Sequence, residues 1–300
     1  MISLAPSPLT LLESPLLLDK EIKLYLKRDD LLHPEISGNK WRKLKYNLID
    51  ARTKGYDSLV TFGGAFSNHI YATAAAGKVF GFKTHGIIRG EELSPSSSPT
   101  LAFAQSCGMD LQFVSRTAYR DKNALIEQFP KHLYVVPEGG SSQLALEGVR
   151  EMAEEIYAVL HPDYICASVG TGGTLAGIVS DLKPNTQAIG FLALKGAALG
   201  MRQDIQDLIG DDMLAKNFEL KEDFHFGGYA KYTAELIDFI KQFEQQFPPI
   251  QLEQVYTGKL LYGIFQLIQQ DYFKKGSTIV CVHTGGLQGR CTELMLPSGL

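Results

Sequence analysis

The stretch Tyr164-Ile165-Cys166-Ala167-Ser168-Val169-Gly170-Thr171-Gly172-Gly173-Thr174 runs into an apolar segment from Leu175 to Leu182. It reads as a buried strand, a glycine loop and a helix. The glycines free backbone N–H groups, and with the Thr171 and Thr174 hydroxyls and the positive end of the following helix they suit a phosphate monoester. A dinucleotide-binding loop shares this pattern but needs an acidic residue roughly 20 positions on to hold the ribose. Here that stretch is Gln187-Ala188-Ile189-Gly190-Phe191-Leu192-Ala193-Leu194-Lys195, without a carboxylate. The absence of a Gly-Lys-Ser/Thr ending disfavours a nucleoside-triphosphate loop.

Outward from this unit, apolar strand candidates alternate with helical stretches: Leu59 to Phe62, Gly86 to Ile88, Leu111 to Val114, Leu133 to Val136, Ala188 to Ala193 and Thr278 to Val282. Such alternation indicates an α/β protein with parallel sheets. Three hundred residues with 45% hydrophobic content can bury two cores, since chains of this size divide into domains of roughly 100–200 residues.

Two further motifs accompany the loop. In Ser37-Gly38-Asn39-Lys40-Trp41-Arg42-Lys43-Leu44, Gly38 and Asn39 permit a tight turn, and Trp41, Leu44 and Leu48 have helical spacing. Lys40 is thereby placed at a helix start, where the dipole and cations such as Arg42 bias its amine towards the neutral, nucleophilic form. Taken alone, a lysine in a Gly-Asn turn is more commonly a surface residue. Arg42, Lys43 and Lys45 read as a solvated helix face. In Gly63-Gly64-Ala65-Phe66-Ser67-Asn68-His69, a strand breaks at two glycines and Ser67-Asn68 precede a small-residue helix, Ala72 to Gly77; either could be only an N-cap. A primary amine able to hold an aldehyde, a polar turn and a phosphate-sized loop, in that order, suggest a site built around pyridoxal phosphate.

Together with Gly228-Tyr229, Val255-Tyr256-Thr257-Gly258-Lys259 and His283-Thr284-Gly285-Gly286, these motifs resemble the 1-aminocyclopropane-1-carboxylate deaminase and D-cysteine desulfhydrase family over about Leu24 to Gly289. The resemblance implies pyridoxal phosphate and a tryptophan-synthase-β-like fold (fold type II), with two open, twisted, mainly parallel sheets flanked by helices. It implies a large domain of residues 1–44 plus 142–300 and a small inserted domain of residues 45–141, with the cofactor between them. Carried over residue by residue, Lys40 becomes the Schiff-base lysine and Asn68 the partner of the ring hydroxyl. Gly170, Thr171, Gly172, Gly173 and Thr174 become the phosphate loop. Ser67 touches the substrate carboxylate or moves protons, Tyr229 and Tyr256 project into the substrate pocket, and Thr257 faces the pyridine nitrogen. A homodimer is also implied. The segment after Tyr229 lacks the family's usual Gly and Pro, so the pocket lip is expected to differ.

Ring-opening members of the family carry glutamate where this chain has Thr257. A carboxylate there stabilises a protonated pyridinium and so a strong electron sink; a neutral hydroxyl does not. Thr257 therefore favours β-elimination: an amino acid displaces Lys40 from the aldehyde, Lys40, Ser67 or Tyr256 removes the α-proton, a β-thiolate leaves, and hydrolysis gives pyruvate and ammonia. The alternatives are ring opening to 2-oxobutanoate and ammonia, or a cofactor-binding protein without turnover.

A net charge of −4 without a basic cluster argues against nucleic acid as a partner. Met1 to Leu18 lacks the cationic start of a signal peptide, and no apolar run is long enough to span a bilayer. A small amino acid is thus the expected partner and the cytoplasm the expected location. Cys107, Cys166, Cys281 and Cys291 show no metal or redox spacing, and no metal is expected. His69 and His283 are divided evenly between pocket and core.

Overall fold

The computed structural model describes residues 5–36, 38–129, 132–210 and 217–295; Ser37, the first residue of the lysine motif, lies outside them. Among the described residues ten strands form two sheets. The larger has the order β1 (Leu9–Leu12), β2 (Lys23–Lys27), β10 (Thr278–Val282), β7 (Tyr164–Val169), β8 (Gln187–Leu192), β9 (Phe218–Lys221), and only the β1–β2 pair is antiparallel. The smaller, all parallel, has the order β5 (Asp110–Val114), β4 (Lys83–Arg89), β3 (Ser58–Gly63), β6 (Tyr134–Val135). The fold is therefore α/β with two mainly parallel sheets flanked by helices. Every strand foreseen from apolar runs is present. The unforeseen ones, β1, β2 and β9, lie at or next to sheet edges, where polar residues interrupt the apolar signal.

Helices are α1 (Pro15–Asp19), α2 (Asn39–Thr53), α3 (Asn68–Phe80), α4 (Pro99–Ser106), α5 (Lys122–Ile126), α6 (Gln143–Tyr157), α7 (Gly173–Ser180), α8 (Ala198–Ile209), α9 (Ala234–Gln246), α10 (Thr257–Gln269) and α11 (Thr292–Met295). One face of the large sheet packs on α9 and α10 through Leu236, Ile240, Leu260, Leu261 and Ile264; the other packs on α6 and α7 through Leu146, Val149, Met152, Leu175 and Ile178. The small sheet buries Leu59 against α2 and α3 through Leu44, Leu48, Ala72 and Ala75.

Parallel strands deliver their following loops to one edge of a sheet, which is where such folds bind ligands. The ends of β3, β7 and β10 lead into Gly64–Asn68, Gly170–Gly172 and His283–Gly286, and residues from all three loops line one cavity of about 500 Å³.

Candidate active site

The cavity is built on the first turn of α2. Gly38 sets the approach with φ +65°, and a Cβ there would stand 1.9 Å from the Thr284 carbonyl oxygen, so only glycine lets the turn close on the 284 loop. The turn belongs to Gly38 alone. Asn39 is already helical, and its amide donates to Thr174 Oγ1 at 2.8 Å, clamping α2 to the glycine loop.

Lys40 follows and lines the cavity. Its amine makes no hydrogen bond or ion pair with any described residue, and burial lowers its pKa from 10.5 to about 8. The activating cause is therefore desolvation rather than the neighbouring Arg42. Arg42 is buried and turned the other way: its guanidinium meets Asp29 at 2.9 Å and Glu155 at 2.6 Å, and these carboxylates raise its pKa despite burial. Lys43 shares the cavity wall with Lys40, one helical turn on. Burial, then the Lys40 charge, lowers its pKa, and its amine donates to Gly139 O at 3.2 Å and Ser141 Oγ at 3.4 Å. The expected solvated basic face is thus incorrect for Arg42 and Lys43. The apolar-to-charged pattern of α2 gave no sign of the partners that bury them.

Gly170, Thr171, Gly172 and Thr174 line the cavity, and Gly173 lies behind them as the first residue of α7. A Cβ on Gly173 would meet Ser141 Oγ at 2.5 Å and Lys43 Nζ at 3.1 Å. The hollow is a helix N-terminus with the buried Lys43 amine and the hydroxyls of Ser141, Thr171 and Thr174 around it, and that donor set fits a phosphate dianion.

Ser67 is the N-cap of α3. Its Oγ accepts from Ile70 N at 3.3 Å, which leaves its O–H free, so the cap and a cavity role coexist. Asn68 accepts from Gln288 Nε2 at 2.9 Å through Oδ1, which leaves its Nδ2 as a donor. His69 also lines the cavity. The Thr61 hydroxyl donates to Val136 O at 2.8 Å, so it must accept from His69 Nε2–H at 2.8 Å. His69 Nδ1 is then a bare acceptor, buried and without a partner among the described residues, and burial with the charges of Lys40 and Lys43 holds the ring neutral by lowering its pKa. His283, in contrast, is a core residue donating to Gln251 O at 2.7 Å.

Tyr229 and Tyr256 close the opposite side, their rings 6.2 Å apart and edge-on. Burial raises both pKa values. Phenols so held are proton donors at neutral pH and poor bases. The Lys259 amine, its pKa lowered by burial to about 8, donates to His225 O at 2.8 Å and Gly228 O at 2.9 Å and so fixes the loop that carries Tyr229.

Thr257 is fully buried and is not part of the cavity surface. Its hydroxyl accepts from Glu253 N at 3.0 Å and lies 3.1 Å from Glu253 Oε1. Glu253 also accepts from the backbone of Val255, Tyr256 and Thr257 at 2.6–2.9 Å, capping α10, while burial pushes its pKa up. The neutral position read in the sequence therefore has a carboxylate directly behind it. An acidic residue just before a helix start was the available signal for Glu253. Asn39, Lys43 and Gln288 gave none, because their partners are distant in sequence.

The sequence profile described as "Pyridoxal-phosphate dependent enzyme" matches residues 2–285. The bifunctional D-cysteine desulfhydrase/1-aminocyclopropane-1-carboxylate deaminase of Arabidopsis thaliana, a mitochondrial protein, is 31% identical over 89% of this chain and 73% of its own. Among solved structures, an ACC deaminase homologue superposes with TM-score 0.78 at 27% identity, covering 95% of this chain and 90% of that one. A hydrogen sulfide-producing enzyme from Fusobacterium nucleatum shares the fold, with TM-score 0.70 at 16% identity over 96% and 97% of the two chains. The chain belongs to the pyridoxal-phosphate-dependent enzyme family.

Proposed function

We propose that this member of the pyridoxal-phosphate-dependent family is a lyase acting on a small amino acid, cleaving D-cysteine by β-elimination to pyruvate, ammonia and sulfide. The observation that carries the reading is the half-buried Lys40 amine, without a partner among the described residues and with its pKa lowered to about 8, in a cavity that also contains the phosphate-sized cradle. When bound, the cofactor supplies an electron sink conjugated to the substrate α-carbon.

The protein's residues supply the rest. Gly170, Thr171, Gly172, Gly173 and Thr174 hold the phosphate, with Lys43 as its counter-charge, and Asn68 Nδ2 donates to the ring hydroxyl. Ser67 donates its free O–H to the substrate carboxylate. Lys40 Nζ, neutral in part at physiological pH, accepts the α-proton. The Tyr229–Tyr256 pair, protonated at neutral pH as phenols are, donates to the departing sulfur. Lys259 orients Tyr229 through the loop carbonyls.

A second reading, ring opening of 1-aminocyclopropane-1-carboxylate, is favoured by one observation. Glu253 stands a hydrogen bond behind Thr257, so the position taken as an uncharged end of the ring site is backed by a carboxylate.

The division into residues 1–44 plus 142–300 and residues 45–141 is supported by the two sheets. A cytoplasmic homodimer completes the proposal. No helix among the described residues is long and apolar enough to cross a membrane.

The test offers the cofactor-loaded protein D-cysteine, L-cysteine and 1-aminocyclopropane-1-carboxylate separately. Pyruvate with sulfide from D-cysteine alone is expected. Release of 2-oxobutanoate from the cyclopropane would establish the second reading, and no keto acid from any of the three would contradict both.

A further inference from the structure

Beside the cavity lies a second hollow of about 500 Å³, between the end of β4 and the segment around residues 116–120. The two share Gly64, Ala65, Phe66 and Arg89, so the hollow is a side chamber of the active site. It begins one residue before Ser67, the group assigned to the substrate carboxylate. The side chain of cysteine ends at a single sulfur and gives such a chamber nothing to bind.

The chamber's charges are unbalanced. Arg89, Arg116 and Arg120 line it. Arg116 is matched by Glu92 at 2.5 Å. Nearby Glu138 is matched twice, accepting from the Tyr119 hydroxyl at 2.8 Å and pairing with Lys122 at 3.0 Å. Arg89 lies over the Tyr119 ring, 5.7 Å from its centre, and neither it nor Arg120 has a carboxylate partner among the described residues. Two solvent-exposed guanidinium groups are thus left without counter-charge among the described residues, at the rim of a concave site. Leu93 and the exposed ring of Phe66 supply apolar wall beside them. Guanidinium is the side chain whose forked donors match carboxylate geometry.

Building on the lyase reading, we infer that the preferred substrate is an amino acid whose β-substituent carries a second anionic group, carboxylate in type, and that Arg89 selects it. In the corresponding reaction the α-proton passes to the enzyme and the Cβ–S bond breaks with its electron pair going to sulfur. One water then hydrolyses the remaining imine to pyruvate and ammonia. The departing thiol takes a proton and keeps its distal carboxylate.

A matched pair of probes isolates the charge: S-carboxymethylcysteine and its neutral amide, S-carbamoylmethylcysteine, each as the D and L isomer. The wild-type enzyme is expected to favour the carboxylate in kcat/KM by roughly tenfold. The preference should shrink at high salt, fall to about one in Arg89→Met, and survive in part in Arg89→Lys. Because the ratio is internal to each protein, a general loss of activity cancels. The same ratio is read as Kd in cofactor-loaded Lys40→Ala, where binding is seen without turnover. A ratio near one in the wild type, a ratio unchanged by Arg89→Met, or turnover of D-cysteine but of neither probe, would overturn the inference and leave the lyase reading standing. Absence of keto acid from D-cysteine and from both probes would remove the lyase reading itself, and the Kd ratio alone would then decide whether the chamber selects an anion.

Discussion

Helix α2 carries cations that differ in one respect. On one side Arg42 is fully satisfied, bonded to Asp29 and Glu155, with Lys27 joining Glu155 at 2.6 Å. On the other, among the described residues, the Lys40 amine has no partner and Lys43 has only a carbonyl and a hydroxyl at 3.2–3.4 Å. Burial disfavours the charge on all three, yet the carboxylates leave Arg42 more firmly charged, while the unmatched lysines are less so. A buried cation matched by carboxylates is part of the scaffold. One left unmatched is costly in the empty protein and marks where a ligand's charge or an aldehyde carbon belongs.

The sharpest way to break this contrast is Lys40→Ala, expected to reduce turnover by about 10³-fold or more, since both cofactor attachment and α-proton transfer are lost. Steady-state keto-acid release measures it, and near-wild-type turnover would contradict the assignment.

Arg42→Met attacks the other side of the helix. It leaves the fully buried Asp29 without its cation and Glu155 with Lys27 alone, and is expected to destabilise the fold by about 3–5 kcal/mol, read by urea unfolding. A variant folded as tightly as the wild type would mean that the network is only surface-grade.

Lys43→Met sharpens the contrast within the cavity. Loss of the phosphate's counter-charge is expected to weaken cofactor affinity by about 10–100-fold, measured by titrating cofactor into the apoprotein, while Arg42-dependent stability is kept.

The smallest effect concerns stability and pH. The folded-state pKa of Lys40 lies below its unfolded value, so the native state binds fewer protons between about pH 8 and 10.5. The penalty is complete below pH 8 and fades as pH rises through that window. Apoprotein bearing Lys40→Met should therefore be more stable than wild type at pH 7, by roughly 1–2 kcal/mol given the open cavity mouth. The gap should close towards pH 10.5. A pH-independent difference would show that burial does not tune the amine.

The contrast also separates what the sequence disclosed from what it withheld. Lys40, Ser67, Asn68 and the glycine loop were legible because each sits beside a strand end or helix start, where local pattern and chemistry coincide. The α/β alternation was legible for the same reason, apart from the edge regions β1, β2 and β9. The fates of Arg42 and Lys43 were not, because one basic run gives no sign that Asp29 and Glu155, 13 and 113 positions away, face one residue and Gly139 and Ser141 the other. Thr257 could be read as a position but not as a pair, since the role of Glu253 depends on the turn that folds it back onto α10.

The most direct test of the distinction between matched and unmatched cations is to reduce the cofactor-loaded protein with borohydride and map the modified residue by peptide mass spectrometry. A cofactor adduct on Lys40 alone is expected; an adduct on Lys43 or Lys259, or none, would contradict it.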